Sequence, residues 1–186
     1  MSLLEIILIA VGLAMDAFAV SVGAGTLAFM QDMRSTVRLA FHFGLFQFLM
    51  PVIGWFLGSS IQAYVESIDH WIAFILLAYI GIKMIHESFK KEESQKENPS
   101  KGKNLVILSV ATSIDALVVG FTLAMLDVNI WYPSMMIGVI TAALSFAGIW
   151  IGKKLGMKLG KVMEVIGGII LILIGLKILI EHLFGL

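Results

Sequence analysis

LLEIILIAVGLAMDAFAVSVGAGTL, residues 3–27, runs apolar but for two charges, Glu5 at its start and Asp16 in its middle. About 20 residues of helix cross a bilayer core, so this stretch is long enough to span one and longer than most buried helices of soluble domains. Five more apolar stretches follow, at 36–60, 68–89, 104–126, 131–152 and 162–184. Apolar residues make up 59% of the chain and charged ones 14%, and 186 residues leave little room for a separate soluble domain. The chain therefore reads as an all-α membrane protein of six transmembrane helices. No Lys or Arg precedes Arg34, and the first apolar run is too long for a signal-peptide core, so the first helix is expected to remain in place. With no cysteine present, any metal site must be built from oxygen, nitrogen or thioether groups.

The cations orient the helices. Arg34 and Arg38 flank the first loop; Lys90, Lys91, Lys96, Lys101 and Lys103 fill the third; Lys153, Lys154, Lys158 and Lys161 fill the fifth. The second and fourth loops carry none. Cationic loops stay in the cytoplasm, which places both termini outside and predicts a multi-pass protein of a bacterial inner membrane. The two remaining cations, Lys83 and Lys177, lie inside helices.

Sliding the chain against itself reveals a repeat. At an offset of 94, Gly44, Gly54 and Gly58 match Gly138, Gly148 and Gly152, while Gly81, Lys83 and Glu87 match Gly175, Lys177 and Glu181. Met15-Asp16-Ala17 matches Ile114-Asp115-Ala116 at an offset of 99, the difference fitting one unequal loop. Two three-helix halves result, 1–89 and 104–186, joined by a polar cytoplasmic linker at 90–103. Because three is odd, the halves cross the membrane in opposite senses, giving the two inverted three-helix repeats that many secondary transporters use.

Asp16 and Asp115 are the residues that demand an explanation. Each falls near the middle of its helix, where a carboxylate costs about 2.5 to 3.5 kcal/mol to insert. The bland reading is a pair of protonated packing residues; two such groups at equivalent repeat positions favour function. Gly12, Ala19 and Gly23 share the Asp16 face, and Ala111 and Thr112 the Asp115 face, and small residues let backbones approach. Ser21, Thr112, Ser113 and Thr122 could add hydroxyl oxygens, making an oxygen-rich cage suited to a hard divalent cation. Two anions would neutralise one such ion, and metal binding could release protons.

Other polar residues carry less. Asn129, beside Asp127, is an exit-side ligand or a turn residue. Glu164 could line an entry path, and His42 more simply marks the interface. Met15 adjoins Asp16 but diverges from it by about 100° around the helix. Lys83 with Glu87 and Lys177 with Glu181 read as snorkelling, partly paired anchors. His86 and His182 fall at opposite surfaces. Trp55, Trp71, Trp131 and Tyr132 suit an outer aromatic belt.

The segments Ala14-Met15-Asp16-Ala17-Phe18-Ala19-Val20-Ser21 and Ala111-Thr112-Ser113-Ile114-Asp115-Ala116 resemble the paired signatures of MntP-type manganese efflux pumps. Pro51-Val52-Ile53-Gly54-Trp55, His70-Trp71-Ile72-Ala73-Phe74 and Val128-Asn129-Ile130 fit the same family, so the resemblance covers the whole chain. It implies manganese(II) as substrate rather than resident cofactor, export as direction, and Asp16 and Asp115 as essential residues. Gln47 departs from the pattern, standing where some members carry an acidic residue; its amide could still supply an oxygen.

The partners this reading implies are a divalent metal ion and the lipid bilayer, with no nucleic acid, and monomer or homodimer left open. A P-loop for nucleotide hydrolysis is absent, so transport would draw on protons or membrane potential. Rival readings are an exporter of another divalent cation or small solute, and an intramembrane aspartyl protease. The protease lacks its usual Gly-x-Gly-Asp and Tyr-Asp contexts here and leaves the repeat unexplained, so no enzymatic activity is expected.

Overall fold

The computed structural model describes residues 1–27, 30, 32–60, 69–89, 98–155 and 158–184. Lys90, Lys91, Lys96 and Gly156 lie outside the described residues, as do the side chains of Glu87, Lys158, Lys161, Glu164, Glu181 and His182. The described residues form helices and no strand: α1 (Leu3–Gly25), α2 (Met33–Ser59), α3 (Asp69–Ser88), α4 (Gly102–Ala111), α5 (Ile114–Met125), α6 (Trp131–Leu155) and α7 (Lys158–Phe184). Four stretches are long and apolar enough to cross a membrane: α1, α2, α4 and α5 taken together, and α6.

Local chemistry sets the helix ends. Ser2 and Glu5 form a reciprocal capping box at the start of α1, the Glu5 amide donating to Ser2 Oγ and the Ser2 amide to Glu5 Oε2. Asp32 caps α2 by accepting from the Ser35 amide at 3.1 Å.

The expected fourth helix is not continuous. It stops at Ala111 and restarts at Ile114, with Thr112 and Ser113 between. Ser109, Thr112 and Ser113 each turn a hydroxyl back on a carbonyl of the preceding turn: Ser109 to Leu105, Thr112 to Leu108, Ser113 to Ser109. The Ser113 amide bonds Val110, three residues back rather than four. Such back-bonding competes with the helical ladder and tightens or breaks it. A hydropathy reading sees only an apolar run there.

Glycines set how closely the helices approach. A Cβ on Gly54 would stand 1.9 Å from the Leu117 carbonyl oxygen of α5, and one on Gly58 2.9 Å from that of Phe121. Across the molecule, a Cβ on Gly148 would stand 2.9 Å from the Phe18 carbonyl oxygen of α1, and one on Gly152 2.0 Å from that of Val22. Gly44 and Gly138 meet where α2 crosses α6. These are backbone-on-backbone contacts of the kind that replaces hydrophobic association in lipid. α3 packs chiefly on α7, and α7 also on α1.

The start of α2, the start of α4 and the end of α6 gather at one end, where Arg38 donates to the Ser100 carbonyl and Lys153 to Thr36. At the other end Lys177 pairs with Glu5, and Trp55 donates to the Val128 carbonyl at 2.8 Å. Outward faces carry Phe41, Leu45, Leu49, Ile53, Phe56, Met135, Val139 and Trp150, while Gln47, Ser21, Ser109, Thr141 and Ser145 are buried. Large apolar groups on the outward faces, with hydroxyl and amide groups buried among the apolar core, suit lipid, not water, as solvent.

Gly54→Ala and Gly152→Ala should each forfeit most of the monodisperse protein recovered in detergent, because neither clash can be relieved by a side-chain rotation. Gly102, at φ +58° with open space around it, should tolerate alanine at a cost of about 1 kcal/mol. Equal recovery of all three variants would refute the close approach. The Ser35 hydroxyl and amide hold the Asp32 carboxyl below its ordinary value, so its stabilisation is full above the unfolded-state value and disappears as pH falls through the folded one. Asp32→Ala should accordingly lower the thermal midpoint at neutral pH and lose that deficit in acid.

Candidate metal centre

Asp115 lies in the first turn of α5, one residue past the restart of the helix. The break thus directs the free amides of a half-helix, with their partial positive charge, toward the turn that carries the carboxylate. Its side chain is 7% exposed, and Oδ1 accepts from Lys83 Nζ of α3 at 2.7 Å. Asp16 sits at the corresponding depth of α1, two positions past its midpoint at residue 14, half-buried between the buried Met15 and Ala17. Here α1 is continuous, so the two carboxylates occupy unlike backbones.

Gln47 ties the two turns together. Fully buried in α2, it directs Nε2 to the Thr112 carbonyl at 2.8 Å and the Leu13 carbonyl at 3.5 Å. Those carbonyls stand three residues before Asp115 and Asp16 respectively, which by helical spacing puts each on its aspartate's side of the helix. Thr112 O is one of the acceptors set free by the break, and the amide satisfies it. Gln47 Oε1 has no hydrogen-bond partner among the described residues.

A family model described as "Putative manganese efflux pump" matches residues 30–179. The chain belongs to that family. Curated relatives extend the likeness to the whole length. A protein of Syntrophotalea carbinolica named "Putative manganese efflux pump MntP" is 46% identical over 100% of both chains. One of Citrifermentans bemidjiense with the same name is 51% identical over 98% of both, and one of Crocosphaera subtropica 47% over 98% of both. No solved structure matches.

In this member of the family the other candidate residues divide. Thr112 and Ser113 lie at the break, beside the Asp115 turn, with their hydroxyl protons committed to their own helix and oxygen lone pairs left over. Ser21 is buried five residues beyond Asp16, about 7.5 Å along the axis, with its Cβ against Gly148 of α6. Its hydroxyl has no partner among the described residues. Thr122 donates to the Val118 carbonyl within α5. Asn129 is exposed and its Oδ1 accepts from the Trp131 amide at 3.2 Å, a capping contact at the start of α6. Glu164's side chain lies outside the described residues. His42 Nδ1 faces the Arg38 carbonyl of its own helix.

Among the described residues no three His, Asp or Glu side chains form a metal-binding cluster. The described groups beside the Asp115 turn that could add to a cation's shell are amide, hydroxyl and carbonyl oxygens, the donor set of a hard ion.

Two lysines have partners that the sequence does not show. Lys83 reads as an interfacial anchor, yet its flexible stem carries the ammonium from α3 to Asp115; Lys177, likewise, reaches Glu5 of α1. The usable signal was that both lysines fall at the same repeat position and are the two cations outside the loops.

Gln47→Met keeps the volume and removes the amide, leaving buried carbonyls without donors. It should lower stability in detergent by about 1 to 3 kcal/mol, read as a fall in thermal midpoint. An unchanged midpoint would show that the bridge contributes nothing.

Proposed function

We propose that the chain exports manganese(II) from the cytoplasm as a secondary transporter, using Asp16 and Asp115 as the charged ligands of the transported ion. The observation that carries this reading is a buried carboxylate at the start of a half-helix in the middle of an apolar span, bridged by Gln47 to the turn of a second carboxylate. Irregular backbone at such a depth is tolerated where it lines a binding cavity. Membership of the family, and the names of its curated relatives, supply the metal and the direction.

Gln47 Oε1, buried and oriented between the two turns, is suited to be a neutral ligand, and Thr112 and Ser113 can add hydroxyl oxygens. Ser21 lies further along α1, toward the cationic end, and serves better as part of the pathway than of the cage; Asn129 and Glu164 remain pathway candidates at the two ends. With α3 and α7 as further spans the chain has six, arranged as two inverted repeats, 1–89 and 104–186, about the linker 90–103. Support comes from the packing. Gly54 meets Leu117 as Gly148 meets Phe18, and Gly58 meets Phe121 as Gly152 meets Val22, so residues matched by the two sequence offsets meet matched partners. The gathering of Arg38 and Lys153 at one end supports a cytoplasmic placement of that end and outside termini in a bacterial inner membrane. Drive comes from protons or the membrane potential.

In manganese-loaded cells lacking their own exporter, the intact chain should lower cell manganese and restore growth, while Asp16→Asn and Asp115→Asn at equal expression should fall to the level of empty vector. A fall in another metal with manganese unchanged would move the substrate and keep the site. Full activity in both variants would remove the aspartates from it.

A further inference from the structure

The Asp115 carboxylate already has a cation. Lys83 Nζ stands 2.7 Å from Oδ1, with the Asp115 side chain 7% exposed and that of Lys83 28%. A pair so placed is held by mutual compensation: both charges have lost water, Asp115 nearly all of it, and removing the ammonium leaves the carboxylate without a counter-charge. The consequence for a metal ion follows from charge alone. Two carboxylates and a divalent cation sum to zero; two carboxylates, a divalent cation and an ammonium sum to +1 in an apolar interior, with like charges facing each other across one carboxyl group. Ammonium and metal therefore compete for Asp115.

The geometry gives the ammonium somewhere to go. Lys83 lies five residues before the end of α3, the end that leads into the linker, and its stem is partly exposed. An ammonium on a four-carbon chain can withdraw toward that end while its stem keeps apolar contact. Arginine could not substitute freely, since a planar guanidinium grips a carboxylate through two bonds.

Resting on the assignment of Asp115 as a ligand of the transported ion, we propose that Lys83 is a tethered counter-ion exchanged for the metal at Asp115 in each cycle. The ammonium leaves Asp115 when a divalent cation arrives and returns when it departs. The empty carrier is thereby spared an uncompensated buried carboxylate, and the returning ammonium opposes rebinding of released metal. Lys83 acts through Asp115 and touches no metal.

The test uses the full chain in lipid nanodiscs. Acetylation of lysines by an amine-reactive ester is followed by mass spectrometry as manganese(II) is added, with the exposed Lys103 as internal reference, and manganese binding is measured by calorimetry on the same preparation. Labelling of Lys83 should rise several-fold, with the same midpoint as binding, while Lys103 stays constant. Asp115→Asn should raise Lys83 labelling without metal and make it insensitive to metal. Lys83→Met should bind manganese several-fold more tightly and Lys83→Arg more weakly, whereas loss of a merely structural contact would weaken binding in both. Manganese binding with unchanged Lys83 labelling overturns the exchange and leaves the metal site standing. Absence of binding by intact, monodisperse protein overturns the site and the exchange with it.

Discussion

Water cannot solvate the Asp115 carboxylate where the chain places it, and much of the interior compensates for that. The ammonium of Lys83 supplies the counter-charge, and the restart of the helix at Ile114 supplies amide dipoles. Restarting the helix leaves a carbonyl free at Thr112, which Gln47 satisfies from α2. Gln47 reaches that carbonyl because α2 runs close alongside α5, and it runs close because Gly54 and Gly58 present no side chain. A costly charge, a broken helix, a buried amide and a glycine seam are successive consequences of one burial.

The seams also explain how a chain this apolar acquires a single arrangement. In lipid, Leu against Leu gains little over Leu against an acyl chain, so shape must come from contacts that lipid cannot make. Gly54 on Leu117, Gly152 on Val22 and the crossing of Gly44 with Gly138 are such contacts. Phe41, Leu49 and Ile53 of α2 face outward instead, while Leu39 and Phe43 of the same helix are buried.

Most of the architecture was legible because its signals are long or repeated. Apolar runs announce helices, the spaced glycines announce close crossings, and a carboxylate in mid-run announces itself by its cost. Three features escaped. The break at Thr112 and Ser113 did, because hydroxyl residues sit in apolar helices with or without bending them and only the surrounding carbonyls decide. The partner of Lys83 did, because a lysine stem can put its charge several ångströms from its own Cα, so sequence position fixes the stem and not the ammonium. The bridge by Gln47 did, because joining Leu13 to Thr112 depends on how α2 lies against two other helices. A polar residue in an apolar run marks a site; its partner is a property of packing.

The close glycine contacts carry a mechanical consequence. Gly25, Gly44, Gly54, Gly58, Gly120, Gly138, Gly148 and Gly152 all set backbone against backbone among α1, α2, α5 and α6, and each of these contacts joins a helix of the first half of the chain to one of the second. Helices of the two sequence halves are thus joined directly. The four helices form one block, with the α3 and α7 pair beside it, and the ion pairs Lys83–Asp115 and Lys177–Glu5 both cross from that pair to the block. The two halves of the chain interlock through glycine, backbone on backbone, whereas α3 and α7 are tied to that block by charge as well as by packing.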